Sequence, residues 1–168
     1  MLKIINDLSV FFEDCYREIS VREYARMIRI TPPTASKTLK EFSKEGLLKM
    51  REERGFIFFM ANRESQVLRD LSRVYWRIKL EKFVEYIRDT IHPDSVVLFG
   101  SLSKLEVTDK SDIDISIFGG FKKDVDIKKF EKNTGREIQI FRFESLDKVN
   151  KELKINIMRG VILQGVLR

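Results

Sequence analysis

Asp112 and Asp114 stand two residues apart in Ser111-Asp112-Ile113-Asp114-Ile115-Ser116-Ile117-Phe118, a run that alternates polar and apolar side chains without a break. As a strand it places Asp112, Asp114 and Ser116 on one face and the isoleucines, as core, on the other. The two Cα atoms then lie roughly 6 to 7 Å apart, so the carboxylates can reach one Mg2+ or straddle two, leaving room in the shell for water and substrate phosphates. Upstream, the apolar run Val96-Val97-Leu98-Phe99 has the length and β-branched content of a buried strand and ends at Gly100-Ser101. Without a Cβ, Gly100 lets the backbone approach a ligand closely. The Ser101 hydroxyl and the N-H groups that follow, at the start of a helix expected over roughly Leu102 to Val107, would cradle a phosphate oxygen. An isolated Asp-x-Asp is ordinarily a solvated strand face. Beside a phosphate cradle, the pair makes a coherent half-site that a nucleotide would complete.

Strand, Gly-Ser, nine residues, Ser-Asp-hydrophobic-Asp-hydrophobic, strand resembles the signature of the minimal nucleotidyltransferases of the DNA polymerase β-like superfamily, down to Ser111 before the first aspartate. The likeness extends over roughly Ile78 to Gly165: a helix ending before Pro93, the two motif strands, a third strand at Arg136 to Phe143, and a closing segment from Ile155 to Gly165. It implies that Gly100 and Ser101 hold the triphosphate of ATP or another NTP; Lys104, in the loop, is the nearest cation for that triphosphate, and Ser111 is expected at the same nucleotide site. It further implies that Asp112 and Asp114 are catalytic and bind Mg2+, with two ions possible, and that NMP passes to a hydroxyl acceptor. Stand-alone members often act as antitoxins that transfer AMP to a partner toxin, so a protein acceptor is also implied.

The sequence departs from that family at two points. The third strand usually reads hydrophobic-Asp-hydrophobic, whereas Ile138-Gln139-Ile140 offers a neutral amide, with Glu137 on the same face but two residues earlier. In the motif loop, Leu105 stands where a glycine is common. These departures support a rival reading, a DNA-binding transcriptional regulator whose second domain is inactive or only senses nucleotide.

Toward the N-terminus, Ile4, Ile5, Leu8, Phe11, Phe12 and Cys15 recur at helical spacing. A second helix is expected from the capping-box pattern Ser20-Val21-Arg22-Glu23 to about Ile28, and a third from Thr31-Pro32 to Lys44, stopped by Gly46. Leu47 to Arg51, a polar turn at Glu52 to Gly55 and Phe56 to Ala61 read as a β-hairpin. This order and spacing resembles the winged helix-turn-helix domains of prokaryotic transcription regulators. The resemblance implies a double-stranded DNA partner, with Thr34, Ser36, Lys37 and Lys40 entering a groove and Arg51 and Arg54 meeting phosphates. Between Val21 and Arg63 ten Lys or Arg face five Glu, so this segment carries five of the six net positive charges.

From Ser65 to about Thr90, Val67, Leu71, Val74, Ile78, Phe83 and Ile87 form one stripe, which reads as one long connecting helix or two abutting ones. Its apolar stripe would link the modules or pair with its twin in a homodimer. Gly119 to Gly135, rich in lysine and aspartate, reads as a connector with a short helix. The expected fold class is therefore α+β: a winged helix-turn-helix over residues 1–64, a connecting helix over 65–90, and an α/β nucleotidyltransferase-like domain with a small mixed sheet within 65–168.

Composition narrows the function classes. The single histidine, His92, reads as structural and leaves Ser-His-Asp, Cys-His and multi-histidine zinc sites poorly supported. No G-x-x-x-x-G-K-S/T phosphate loop is present. The absence of a membrane-spanning run or a leader, and the single Cys15, point to a cytoplasmic protein in a reducing compartment with no membrane role.

Overall fold

The computed structural model describes residues 2–120 and 123–167. Phe121 and Lys122, inside the expected connector, lie outside the described residues. The fold is α+β, with eight α-helices and two small sheets among the described residues. The chain divides into two compact units, Met1–Tyr75 with Leu105–Asp109, and Trp76–Lys104 with Lys110–Arg168.

The first unit opens with helix α1 (Lys3–Glu13), which buries Ile5, Leu8, Phe11 and Phe12 on one stripe. Cys15 lies just beyond its end, fully buried. Its backbone N-H donates to the Val107 carbonyl at 2.9 Å, and its thiol approaches the Leu105 and Val107 carbonyls at 3.2 Å each. Burial pushes that thiol's pKa up, as expected of an inert structural cysteine. Strand β1 (Ile19–Ser20) leads into α2 (Val21–Ile28), where the Ser20 hydroxyl accepts the Glu23 N-H at 3.3 Å. The reciprocal half of the expected capping box does not form, because the Glu23 carboxylate accepts from the Arg17 guanidinium instead.

Helix α3 (Pro32–Lys44) starts with proline at its first position, where a missing N-H is harmless. Its N-cap residue, Thr31, makes no side-chain cap bond; its hydroxyl pairs with that of Thr34 at 2.9 Å. Strands β2 (Leu48–Glu53) and β3 (Phe56–Ala61) pair antiparallel, with Glu53 opposite Phe56. Only Arg54 and Gly55 remain for the turn, and both have positive φ, 50° and 79°, as the two-residue hairpin geometry that matches strand twist requires. The expected four-residue turn is thus tightened to two. Strand β1 completes the sheet by pairing with β3, Ile19 opposite Phe59, in the order β1-β3-β2. Leu8, Phe11, Phe12, Ile19, Tyr24, Leu39 and Phe59 are all fully buried, and each contributes about 1.5–3 kcal/mol of transfer free energy.

The expected connecting helix is two helices, α4 (Gln66–Lys79) and α5 (Glu81–Ile91), and the division between the compact units falls within α4. Leu80 marks the break with ψ near 1° and a fully buried side chain. No glycine or proline causes it. His92 ends α5 in the left-handed conformation, φ 48°, its N-H on the Arg88 carbonyl, and Pro93 follows.

The second unit is built on a four-stranded mixed sheet, ordered β6-β5-β4-β7. Strand β4 (Ser95–Phe99) is buried throughout and pairs antiparallel with both β5 (Ile113–Phe118) and β7 (Val161–Gly165). Strand β6 (Ile138–Phe143) runs parallel to β5. Between β4 and β5 lies the short helix α6 (Gly100–Lys104), and α7 (Lys128–Thr134) precedes β6. Helix α6 begins at the glycine itself and stops at Lys104, earlier on both sides than the expected 102–107.

Both faces of β5 are covered. Val96, Leu98, Ile113, Ile115 and Ile117 share one buried face. On the aspartate face, Val97, Phe99 and Phe118 pack against Val149 and against Ile157 of α8 (Lys151–Met158), with Phe141, Phe143 and Leu153 at the margin. At the β7 edge, Arg77 donates to the Ile162 and Leu163 carbonyls at 2.5 and 3.2 Å, satisfying acceptors that an edge strand leaves open. None of the described helices is long and apolar enough to cross a membrane.

Candidate nucleotide and metal site

The register that places Phe99 opposite Asp114 brings Gly100 and both aspartates to one end of the sheet. Gly100 has φ 71°, and an ideal Cβ there would lie 2.1 Å from Asp114 Oδ2. The Asp114 carboxylate therefore occupies the space that any other residue at position 100 would fill. The turn is closed from within by the buried Ser103, whose hydroxyl donates to the Gly100 carbonyl at 2.9 Å. Ser101 is half-buried in the same turn. Leu105 ends it at φ 59°, a left-handed value that glycine adopts without strain. Its side chain is fully buried, so packing offsets the conformational cost.

Asp112 precedes the first ladder residue of β5 and is half-buried. Its Oδ2 accepts a hydrogen bond from Gln139 Nε2 at 2.7 Å. Gln139 lies in register with Asp114 across the parallel pair, where the third acid was expected, and its side chain reaches Asp112 instead. Glu137 is exposed; its backbone carbonyl takes the Ile113 N-H at 2.8 Å. Among the described residues no cluster of three or more His, Cys, Asp or Glu could hold a metal ion, so Glu137 does not join the pair.

One cation acts on Asp114, and a second holds the backbone just before Asp112. Lys104 donates through Nζ to Asn156 Oδ1 of α8 at 3.0 Å, a partner 52 positions away that no local signal announces. Arg136, almost fully buried, donates to the Ser111 carbonyl at 2.6 Å and lies over the Trp76 ring at 5.4 Å. Ser111 is thus held by its backbone, beside the first aspartate. The pKa of Asp114 is raised, first because burial strips water from the carboxylate, then because the Asp112 charge lies close; the Lys104 charge opposes both.

The donor set fits Mg2+: two carboxylates, oxygen ligands only, one of them desolvated and repelled by its neighbour, a strain that a divalent cation would relieve. With two protein ligands, phosphate oxygens would have to complete the shell.

In the first unit, Thr34, Lys37 and Lys40 are exposed on α3, while Ser36 is half-buried. Arg54 is exposed at the hairpin turn. Arg51 is differently placed. Its Nε and Nη2 make a two-pronged pair with Glu18 at 2.9 and 2.6 Å, and its Nη1 meets Glu53 at 2.6 Å. These bonds hold the Glu18 carboxyl below its ordinary range and leave Arg51 matched by two acids. On α2, Arg22 and Arg26 are exposed four residues apart, with Arg29 exposed just past its end; the total charge of the segment reflects them, but no motif marks them.

Compared with known proteins, the chain matches no family model, no curated protein and no solved structure.

Proposed function

We propose that the second unit binds a Mg2+-nucleoside triphosphate, with ATP the foremost candidate, and transfers NMP to a hydroxyl acceptor such as a side chain of a cognate toxin. The first unit, in this reading, is a winged helix that binds double-stranded DNA. The observation that carries the proposal is the Asp114 carboxylate seated on the Cα of Gly100, two residues from Asp112, at the end of a buried strand. That packing reserves position 100 for glycine and holds a carboxylate beside the turn where phosphates would lie.

In the transfer, the acceptor oxygen forms a bond to the α-phosphorus, the bond from that phosphorus to the bridging oxygen breaks, pyrophosphate leaves with the electron pair, and the hydroxyl proton goes to solvent. Mg2+ would supply charge neutralisation and alignment of the phosphates. Asp112 and Asp114 would hold it. Gly100 admits the triphosphate, Ser101 offers a hydroxyl, and Lys104, steadied by Asn156, supplies positive charge. Positioning and electrostatics, rather than covalent chemistry, are what these residues provide.

One observation favours a second reading, a DNA-binding regulator whose second unit senses nucleotide without turnover: the amide of Gln139, bonded to Asp112, stands at the position of the third acid. Incubation with α-labelled ATP, Mg2+ and candidate acceptors separates the two. Label in a protein or nucleic acid, lost in Asp112→Ala, supports transfer. Mg-ATP binding by calorimetry without label supports sensing, and absence of binding removes transfer and sensing alike and leaves a DNA-binding protein with an inactive second unit.

A further inference from the structure

The Gln139 amide does more than fail to replace an acid. A carboxylate at that position would face Asp112 and Asp114 as a third negative ligand, able to bridge or flank a second divalent ion. Gln139 instead points its Nε2 donor at Asp112 Oδ2, 2.7 Å away, so one of the four carboxylate oxygens of the pair is already occupied by a hydrogen bond. A group that donates N-H to this oxygen brings partial positive charge to the side of Asp112 where a cation would otherwise sit. Glu137 does not compensate, being exposed and outside any cluster of three metal-ligating side chains among the described residues.

The charges agree. Two carboxylates contribute two negative charges, and the Lys104 ammonium, fixed on Asn156 at 3.0 Å and acting on Asp114, returns one. Two dications about 3.5–4 Å apart, as in two-ion sites, would find only these two carboxylates on the protein, so the nucleotide phosphates would have to offset the rest of their repulsion.

We propose that this site takes one divalent ion per bound nucleotide, held by Asp114 and by Oδ1 of Asp112, with the Gln139 amide standing where a second ion would be. The inference rests on the reading of the site as a Mg2+-nucleotide site and specifies its metal content. It makes Gln139 a positioning residue that orients Asp112 rather than a metal ligand.

The test counts ions rather than product. The full chain is equilibrated with Mn2+ and α,β-methylene-ATP, and bound Mn2+ per bound nucleotide is measured by equilibrium dialysis and by electron paramagnetic resonance. The wild type is expected to retain one Mn2+ per nucleotide, Gln139→Leu to keep that single ion, and Gln139→Asp to take up a second, with spin coupling between the two. Two ions per nucleotide in the wild type, or loss of the ion in Gln139→Leu, overturns the proposal. So does a folded Gln139→Asp, checked by circular dichroism, that remains at one ion. If nucleotide itself fails to bind the wild type, the Mg2+-nucleotide reading falls and takes the ion count with it; a wrong ion count with nucleotide bound overturns the count alone.

Discussion

Asp114 Oδ2 lies 2.1 Å from where a Cβ on Gly100 would stand, so the first residue of α6 and a side chain of β5 are fitted to each other. Gly100→Ala must displace the carboxylate and also adopt φ 71°. A positive φ in a non-glycine residue costs on the order of 1–3 kcal/mol. Chemical denaturation is expected to show a loss of that size, and calorimetry to show Mg-ATP binding lost even where the variant remains folded.

Asp114 also links function to stability. Its pKa is raised by burial and by Asp112, against Lys104. A carboxyl with a higher pKa folded than unfolded favours the folded state fully when protonated, below the unfolded value of about 3.9, and loses that contribution as pH rises through the folded value. In metal-free buffer, Asp114→Asn is therefore expected to melt above the wild type at neutral pH, with the gap closing under acid conditions. The same variant is expected to bind no Mn2+ with nucleotide. A neutral-pH melting temperature below that of the wild type would count against this account.

Removing the ammonium in Lys104→Met is expected to weaken Mg-ATP binding about tenfold, roughly 1.4 kcal/mol. Asn156→Ala, which leaves the charge but releases its anchor at 3.0 Å, is expected to produce a smaller loss. Calorimetric titration of both variants ranks them, and equal losses would show that the anchor matters as much as the charge.

Salt dependence checks the DNA reading. If Lys37 and Lys40 each neutralise a phosphate, replacing either by alanine lowers the slope of log K against log salt by about 1. Arg51→Ala is expected to change the slope less, because Glu18 and Glu53 already match its charge. Fluorescence anisotropy with a duplex oligonucleotide across a salt series measures all three.

Leu105→Gly sets two effects against each other. It relieves a left-handed φ of 59° worth about 1 kcal/mol, but empties a fully buried leucine site, where truncation to alanine alone costs about 2–5 kcal/mol. A net loss of about 1–4 kcal/mol in denaturant unfolding is expected, since packing outweighs strain.

What the sequence determined by itself was local. The stripe Ile5, Leu8, Phe11 and Phe12 specifies α1, Pro32 opens α3, the polar stretch Glu52 to Gly55 marks the hairpin turn though not its two-residue length, and the alternation around Asp112 and Asp114 specifies β5, because helix period, cap chemistry and strand alternation are written within a few consecutive residues. Tertiary structure decided what depends on partners distant in the chain. Strand β1 is only two residues long and exists through its pairing with Phe58 and Phe59. The break at Leu80 has no sequence punctuation and coincides with a fully buried side chain. Gln139 meets Asp112 across 27 positions, Lys104 meets Asn156 across 52, and Arg51 meets Glu18 across 33. Each of these contacts requires strand register and side-chain direction to be set first. The sequence could show a glutamine where the resemblance expects an acid, but only the folded sheet shows that its amide donates to Asp112.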